Sequence, residues 1–168
     1  MPFAGAVAAP HSHLQLFTRP AENQDYQAKV AKGRKALAVL REQVEQSGAD
    51  TMLINAAWGL GEGISQGEVA GDLYWVRRST GELIASETGR ATHRIELSPQ
   101  GMGTVEVPLS PEQQGRPCLT SAELDRLASL ARAVEETTGR AQDVEFGFDH
   151  EGGLVVFQMR RIVPRRQD

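Results

Sequence analysis

The feature that most constrains the fold lies near the carboxyl terminus. Asp143-Val144-Glu145-Phe146-Gly147-Phe148-Asp149 alternates polar and apolar residues, His150-Glu151-Gly152-Gly153 interrupts the pattern, and Leu154-Val155-Val156-Phe157-Gln158-Met159-Arg160 takes up an apolar-rich run again. A period of two puts successive side chains on opposite faces of a strand, and a short glycine-containing break between two such runs reads as a β-hairpin. A turn centred between Glu151 and Gly152 sets Glu145 opposite Gln158 and Asp143 opposite Arg160, all four on one face. The other face carries Val144, Phe146 and Phe148 against Met159, Phe157 and Val155, an apolar surface expected to be buried.

Directly opposed residues have Cβ atoms roughly 4.5–5.5 Å apart, which lets one ion touch both Glu145 and Gln158. A hard cation such as Mg²⁺ takes oxygen ligands at about 2.0–2.1 Å, commonly one or two protein groups with phosphate oxygens and water. A carboxylate and an amide oxygen on adjacent strands match that demand, and Arg160, one step along, is placed to make a forked contact with a phosphate oxygen. The competing reading is a solvated sheet face on which Asp143 and Arg160 form an ordinary cross-strand ion pair. The hairpin alone leaves both open.

Upstream, Met52-Leu53-Ile54-Asn55 reads as a strand entering the glycine-rich turn 59–63. Two runs, 73–77 and 82–85, flank Arg78-Ser79-Thr80-Gly81 and predict a second hairpin, with a further strand over 93–97. Ser110-Pro111-Glu112 predicts one or two helical turns ending before Gly115. Thr120 with Glu123 three residues on is a capping box, and Leu124, Leu127, Ala131 and Val134 share one face of a helix expected to stop near Gly139. Val30, Leu37, Leu40 and Val44 recur at helical spacing, so an amphipathic helix is expected over about 24–47 with Gly48 as its cap. Residues 1–23, with Pro2, Pro10 and Pro20, are expected to form an irregular arm. The fold class that follows is α+β, a mainly antiparallel sheet from 52–97 and 143–162 covered by helices near 24–47 and 120–138.

Composition narrows the function. A formal net charge of -4 provides no basic field to draw the chain to nucleic acid or anionic lipid. No run of about 18 apolar residues offers a membrane-spanning helix, and the first ten residues lack the basic start of a secretory leader. The single cysteine, Cys118, excludes an internal disulfide framework and a zinc site of paired thiolates. A soluble cytoplasmic protein is therefore expected. The lysines, Lys29, Lys32 and Lys35, all lie in the first quarter, and arginine carries the remaining positive charge.

Six segments in order decide between the two readings of the hairpin. They are Ile-Asn-Ala-Ala-Trp-Gly-Leu-Gly-Glu-Gly at 54–63, Gln-Gly-Glu-Val at 66–69, Gly-Thr-Val-Glu-Val-Pro at 103–108, Gly-Arg-Pro-Cys-Leu-Thr at 115–120, Gln-Asp-Val-Glu-Phe at 142–146 and Phe-Gln-Met-Arg-Arg-Ile at 157–162. Together they resemble the nucleotide-binding domain of the phosphoenolpyruvate synthase, pyruvate phosphate dikinase and rifampin phosphotransferase family, over roughly 52–163. The resemblance implies an ATP-grasp-like partial domain at 51–163, with a short tail at 164–168. It also implies Mg²⁺ and ATP as cofactors. By motif, it puts the metal on Glu145 and Gln158, sets Arg160 against the γ-phosphate as the catalytic contact, and brings Glu62 and Gln66 near the nucleotide.

A whole enzyme of that family also has a lobe with a phosphate-binding lysine, a swivelling domain with a phosphoryl-accepting histidine, and a pyruvate-binding barrel. Residues 1–50 show no match to the missing lobe, and His11, His13, His93 and His150 stand in no motif like the histidine carrier. The resemblance thus implies an ATP-binding part of a pyruvate, water dikinase-like phosphotransferase that is incomplete as a catalyst alone. A separate polypeptide carrying the missing lobe, or a second copy of the chain, is the expected protein partner. The alternative is a non-catalytic nucleotide-binding or interaction remnant of the family.

Overall fold

The computed structural model describes residues 11–17 (as backbone), 50–65, 69–140, 142–149 and 151–161. Its elements are β1 (His11–Phe17), β2 (Thr51–Ala56), α1 (Glu62–Ser65), β3 (Asp72–Arg77), β4 (Leu83–Glu87), β5 (His93–Leu97), β6 (Thr104–Pro108), α2 (Ser121–Thr138), β7 (Gln142–Phe148) and β8 (Leu154–Arg161). Six strands form one sheet in the order β4-β3-β2-β1-β7-β8, and every neighbouring pair is antiparallel. The α+β expectation of a mainly antiparallel sheet with a packed helix describes this arrangement.

Strand β2 is buried along its whole length, as an apolar run enclosed on both faces requires. Met52 and Ile54 on one face meet Tyr74 and Val76 of β3, Val144 and Phe146 of β7, and Leu124, Leu127 and Ala131 of α2 in one core. Leu53 and Trp75 on the other face are also buried.

Helix α2 begins and ends where its local chemistry dictates. Thr120 Oγ1 accepts from the Glu123 N–H at 3.2 Å, and the Glu123 carboxylate accepts from the Thr120 N–H at 2.7 Å. These bonds satisfy backbone donors that a helix start leaves without partners. Gly139 ends it in the left-handed region, φ 70°, its N–H donating to the Glu135 carbonyl at 2.8 Å. The helix is clasped to the β3–β4 hairpin at its far end, where Arg132 donates to the Arg78 carbonyl at 2.5 Å and Arg78 pairs with Glu135.

Four expectations change. His11–Phe17 is a strand between β2 and β7, where the proline-spaced composition predicts an irregular arm. Strands take their stability from cross-strand neighbours, and this one has its neighbours about forty and more than a hundred residues away, beyond the reach of local pattern. Strand β5 leaves the main sheet and pairs instead with β6, giving a separate hairpin. Residues 111–115 make hydrogen-bonded turns, with Gln114 N–H donating to the Ser110 carbonyl, and do not extend into a helix. Finally, the apolar surface shared by β7 and β8 is only half buried, as described below. The helix expected over 24–47 lies outside the described residues.

Candidate functional site

Strands β7 and β8 pair as their sequence predicts at the carboxyl-terminal end: Asp143 opposite Arg160, Val144 opposite Met159 and Glu145 opposite Gln158. Nearer the turn, the register shifts between Glu145 and Phe146, so Phe146 faces Val156 and Phe148 faces Leu154, and Phe157 is the extra residue of a bulge. The expected pairs Phe146 with Phe157 and Phe148 with Val155 are corrected accordingly. The shift falls beyond Glu145, so Glu145 and Gln158 stay directly opposed with side chains on the same side of the sheet.

Arg160 Nη2 donates to Glu145 Oε1 at 2.6 Å, diagonally across the two strands. The Glu145 side chain is largely sheltered, 19% exposed, and the Arg160 side chain is 56% exposed. A bonded pair at this distance is charge-assisted and orients both groups. An acid, an amide and a guanidinium therefore share one stretch of sheet, with the guanidinium bonded to the carboxylate.

Register adds a position that sequence reasoning did not single out. Gln15 of β1 lies between Asn55 and Glu145, so Asn55, Gln15, Glu145 and Gln158 form one cross-strand row. No local signal marks Gln15, because its place depends wholly on the insertion of β1 between β2 and β7.

The glycine-rich turn serves the packing of the β5–β6 hairpin. Gly59, at φ 83°, bridges to Ile95, and the Leu60 N–H donates to the Ile95 carbonyl at 2.7 Å. A Cβ on Gly59 would stand 2.5 Å from that carbonyl oxygen, and one on Gly63 would stand 2.8 Å from Val69 Cγ2 and 2.9 Å from Ile95 Cγ1. Glycine alone permits both the conformation and the approach at Gly59, and at Gly63 it permits the approach. Glu62 opens α1 and is exposed, on a turn of helix beside β1 and β5. Gln66 lies outside the described residues.

The segment 115–120 is anchored by a buried polar cluster. Asp72 accepts from the Tyr74 hydroxyl at 2.9 Å, the Cys118 N–H at 2.8 Å and the Gly89 N–H at 2.6 Å, while the Tyr74 oxygen accepts from the Leu119 N–H at 3.2 Å. Burial, reinforced by the neighbouring Cys118 and Asp72, pushes the Tyr74 hydroxyl far above its ordinary value. Burial and then Asp72 likewise push the Cys118 thiol well above its own. Both stay protonated, and Cys118 is a structural thiol without nucleophilic character. A cleft beside this cluster, lined by Trp58, Gly89, Leu109, Gln113 and Arg116 among others, includes none of Glu145, Gln158 and Arg160. Of those three, Gln158 and Arg160 are exposed and Glu145 is partly buried.

No helix among the described residues is long and apolar enough to cross a membrane. Residues 31–168 match the family model of the pyruvate phosphate dikinase AMP/ATP-binding domain. The chain is 32% identical over 116 residues to a probable phosphoenolpyruvate synthase of Methanothermobacter thermautotrophicus, an alignment covering 69% of this chain and 16% of that protein. It is 37% identical over 123 residues to a rifampicin phosphotransferase of a Streptomyces species, covering 70% and 14%. An uncharacterized phosphotransferase of Bacillus subtilis is 33% identical over 118 residues, covering 70% and 14%. The chain thus spans about one-sixth or less of the length of these relatives. With a family model matched over most of its residues and phosphotransferases among its relatives, this chain belongs to the pyruvate phosphate dikinase AMP/ATP-binding domain family.

Proposed function

We propose that this chain is the ATP-binding part of a phosphoenolpyruvate synthase-like phosphotransferase, an ATP-grasp-like partial domain over 51–163 whose sheet β1 completes, and that it binds Mg-ATP on the β7–β8 hairpin. The observation that carries the reading is the direct opposition of Glu145 and Gln158 on one side of the sheet, with Arg160 bonded to Glu145.

The donor set suits the ion. One carboxylate and one amide oxygen on adjacent strands are the number and kind of protein ligands that Mg²⁺ takes when phosphate oxygens and water complete its shell. A bound Mg²⁺ would neutralise charge on the phosphate oxygens. Arg160, on a long side chain that is 56% exposed, would be placed to contact a phosphate oxygen. Glu62 and Gln66 are assigned to the nucleotide's surroundings.

Phosphoryl transfer depends chiefly on positioning and on neutralising charge spread over the phosphate oxygens. With Gln158 and Arg160 exposed, the hairpin supplies only one side of that enclosure. Groups from elsewhere, carried by a separate lobe-bearing polypeptide, are therefore assigned the rest, and this segment alone is proposed to bind nucleotide without sustained turnover.

Calorimetric titration of Mg-ATP into the 168-residue chain tests the reading. Saturable heat is expected with Mg²⁺ present, and loss of that heat with chelator or in Glu145→Ala and Gln158→Ala. A folded chain that gives no heat with millimolar Mg-ATP, or variants that bind as tightly as the parent, would overturn it.

A further inference from the structure

We infer that the outer edge of β8 is a self-association surface, along which two copies of this chain pair antiparallel. The inference does not depend on nucleotide binding.

Strand β8 ends the order of the sheet, so its outer backbone edge has no strand beside it among the described residues. Its middle is uncharged from Leu154 to Met159. Val155 is 41% exposed, Val156 39%, Phe157 63% and Met159 52%. These side chains lie on both faces of the strand, and Phe157 is set out of register by the bulge. A helix or loop docking on one face would cover only part of them. A neighbouring strand covers both faces at the edge and also pairs the open backbone groups, which is the hazard that edge strands ordinarily suppress with interior charges.

Charge identifies the neighbour. The turn before β8 carries Asp149 and Glu151, and the strand ends in Arg160 and Arg161. Two copies running antiparallel lay the basic end of each strand beside the acidic turn of the other, whereas parallel pairing sets like charge against like. The two-fold axis of such a pair stands normal to the sheet, so both copies present Gln158 and Arg160 on the same side of one continuous sheet.

Sedimentation of the chain without nucleotide, over a wide concentration range, should show a monomer–dimer equilibrium. Phe157→Lys should abolish the dimer. Glu151→Arg and Arg161→Glu should each weaken it by about tenfold, since each creates two like-charge contacts. Mixing those two variants should restore association, because every contact in the mixed dimer is again of opposite sign, and misfolded chains cannot give that rescue. A chain that stays monomeric at every concentration overturns the inference. So does a dimer indifferent to Phe157→Lys, or a mixture that fails to recover.

Discussion

Strands β7 and β8 are adjacent, antiparallel and similarly rich in apolar residues, yet they meet opposite fates. Val144 and Phe146 of β7 are at most 1% exposed, whereas their register partners Met159 and Val156 are 52% and 39% exposed; only at the turn end does β8 reach the core, where Leu154 opposite Phe148 packs against it. The difference is position. Strand β7 has a strand on each side and α2 packed on it, with the Arg126 guanidinium 5.1 Å from the centre of the Phe148 ring, while β8 has a strand on one side only. Burial belongs to a neighbourhood, and alternation in sequence states only that one face prefers it.

The largest break in this comparison is expected from Phe146→Ala. Removing a ring fully enclosed by β2, β7 and α2 should cost about 3–5 kcal/mol, read as a lower denaturant midpoint with an unchanged slope. A loss below about 1 kcal/mol would mean that β7 is not the buried strand described here.

Next in size is a ligand effect on the opposite face of the same hairpin. At a Mg-ATP concentration a hundredfold above its dissociation constant, binding should stabilise the parent by about 2.7 kcal/mol. Glu145→Ala should remove that gain. Its own cost without ligand should be no more than about 1 kcal/mol, because the Arg160 partner is exposed. Equal stabilisation of parent and variant in a thermal-shift titration would detach Glu145 from the site.

Thr120→Ala loosens the helix that shelters β7 without touching either strand. Loss of the cap should cost about 1 kcal/mol, with hydrogen exchange faster in the first turn of α2 and little changed in β8. The smallest effect is expected from Met159→Ala, at most about 0.5 kcal/mol when measured at a dilution where chains are monomeric. If Met159→Ala rivals Phe146→Ala, the contrast between the strands is wrong.

Several elements are legible without a structure because their causes are local. The Thr120–Glu123 capping box and Gly139 bound α2 through bonds within a few residues of each end. The turn at 78–81 closes the β3–β4 hairpin for the same reason. In the β7–β8 hairpin a short connection dictates which residues face each other, so the pairing of Glu145 with Gln158 can be counted from the turn. The bulge at Phe157 escapes that count. It moves the turn-side half of β8 by one residue and spares the pairs beyond it, leaving the candidate site in the expected register by its position and not by necessity.

Sequence by itself determined which residues alternate, where α2 starts and stops, and which acid, amide and guanidinium share a face near the carboxyl terminus, since each follows from contacts between residues close along the chain. Tertiary structure alone decided that β1 enters the sheet beside β7, that Gly59 and Gly63 are spent on docking β5, and that one strand of the hairpin is covered while the other is left open. Those outcomes depend on pairings between segments tens of residues apart or more, where the burial of one strand is set by the arrival of another and no short stretch of chain contains the information.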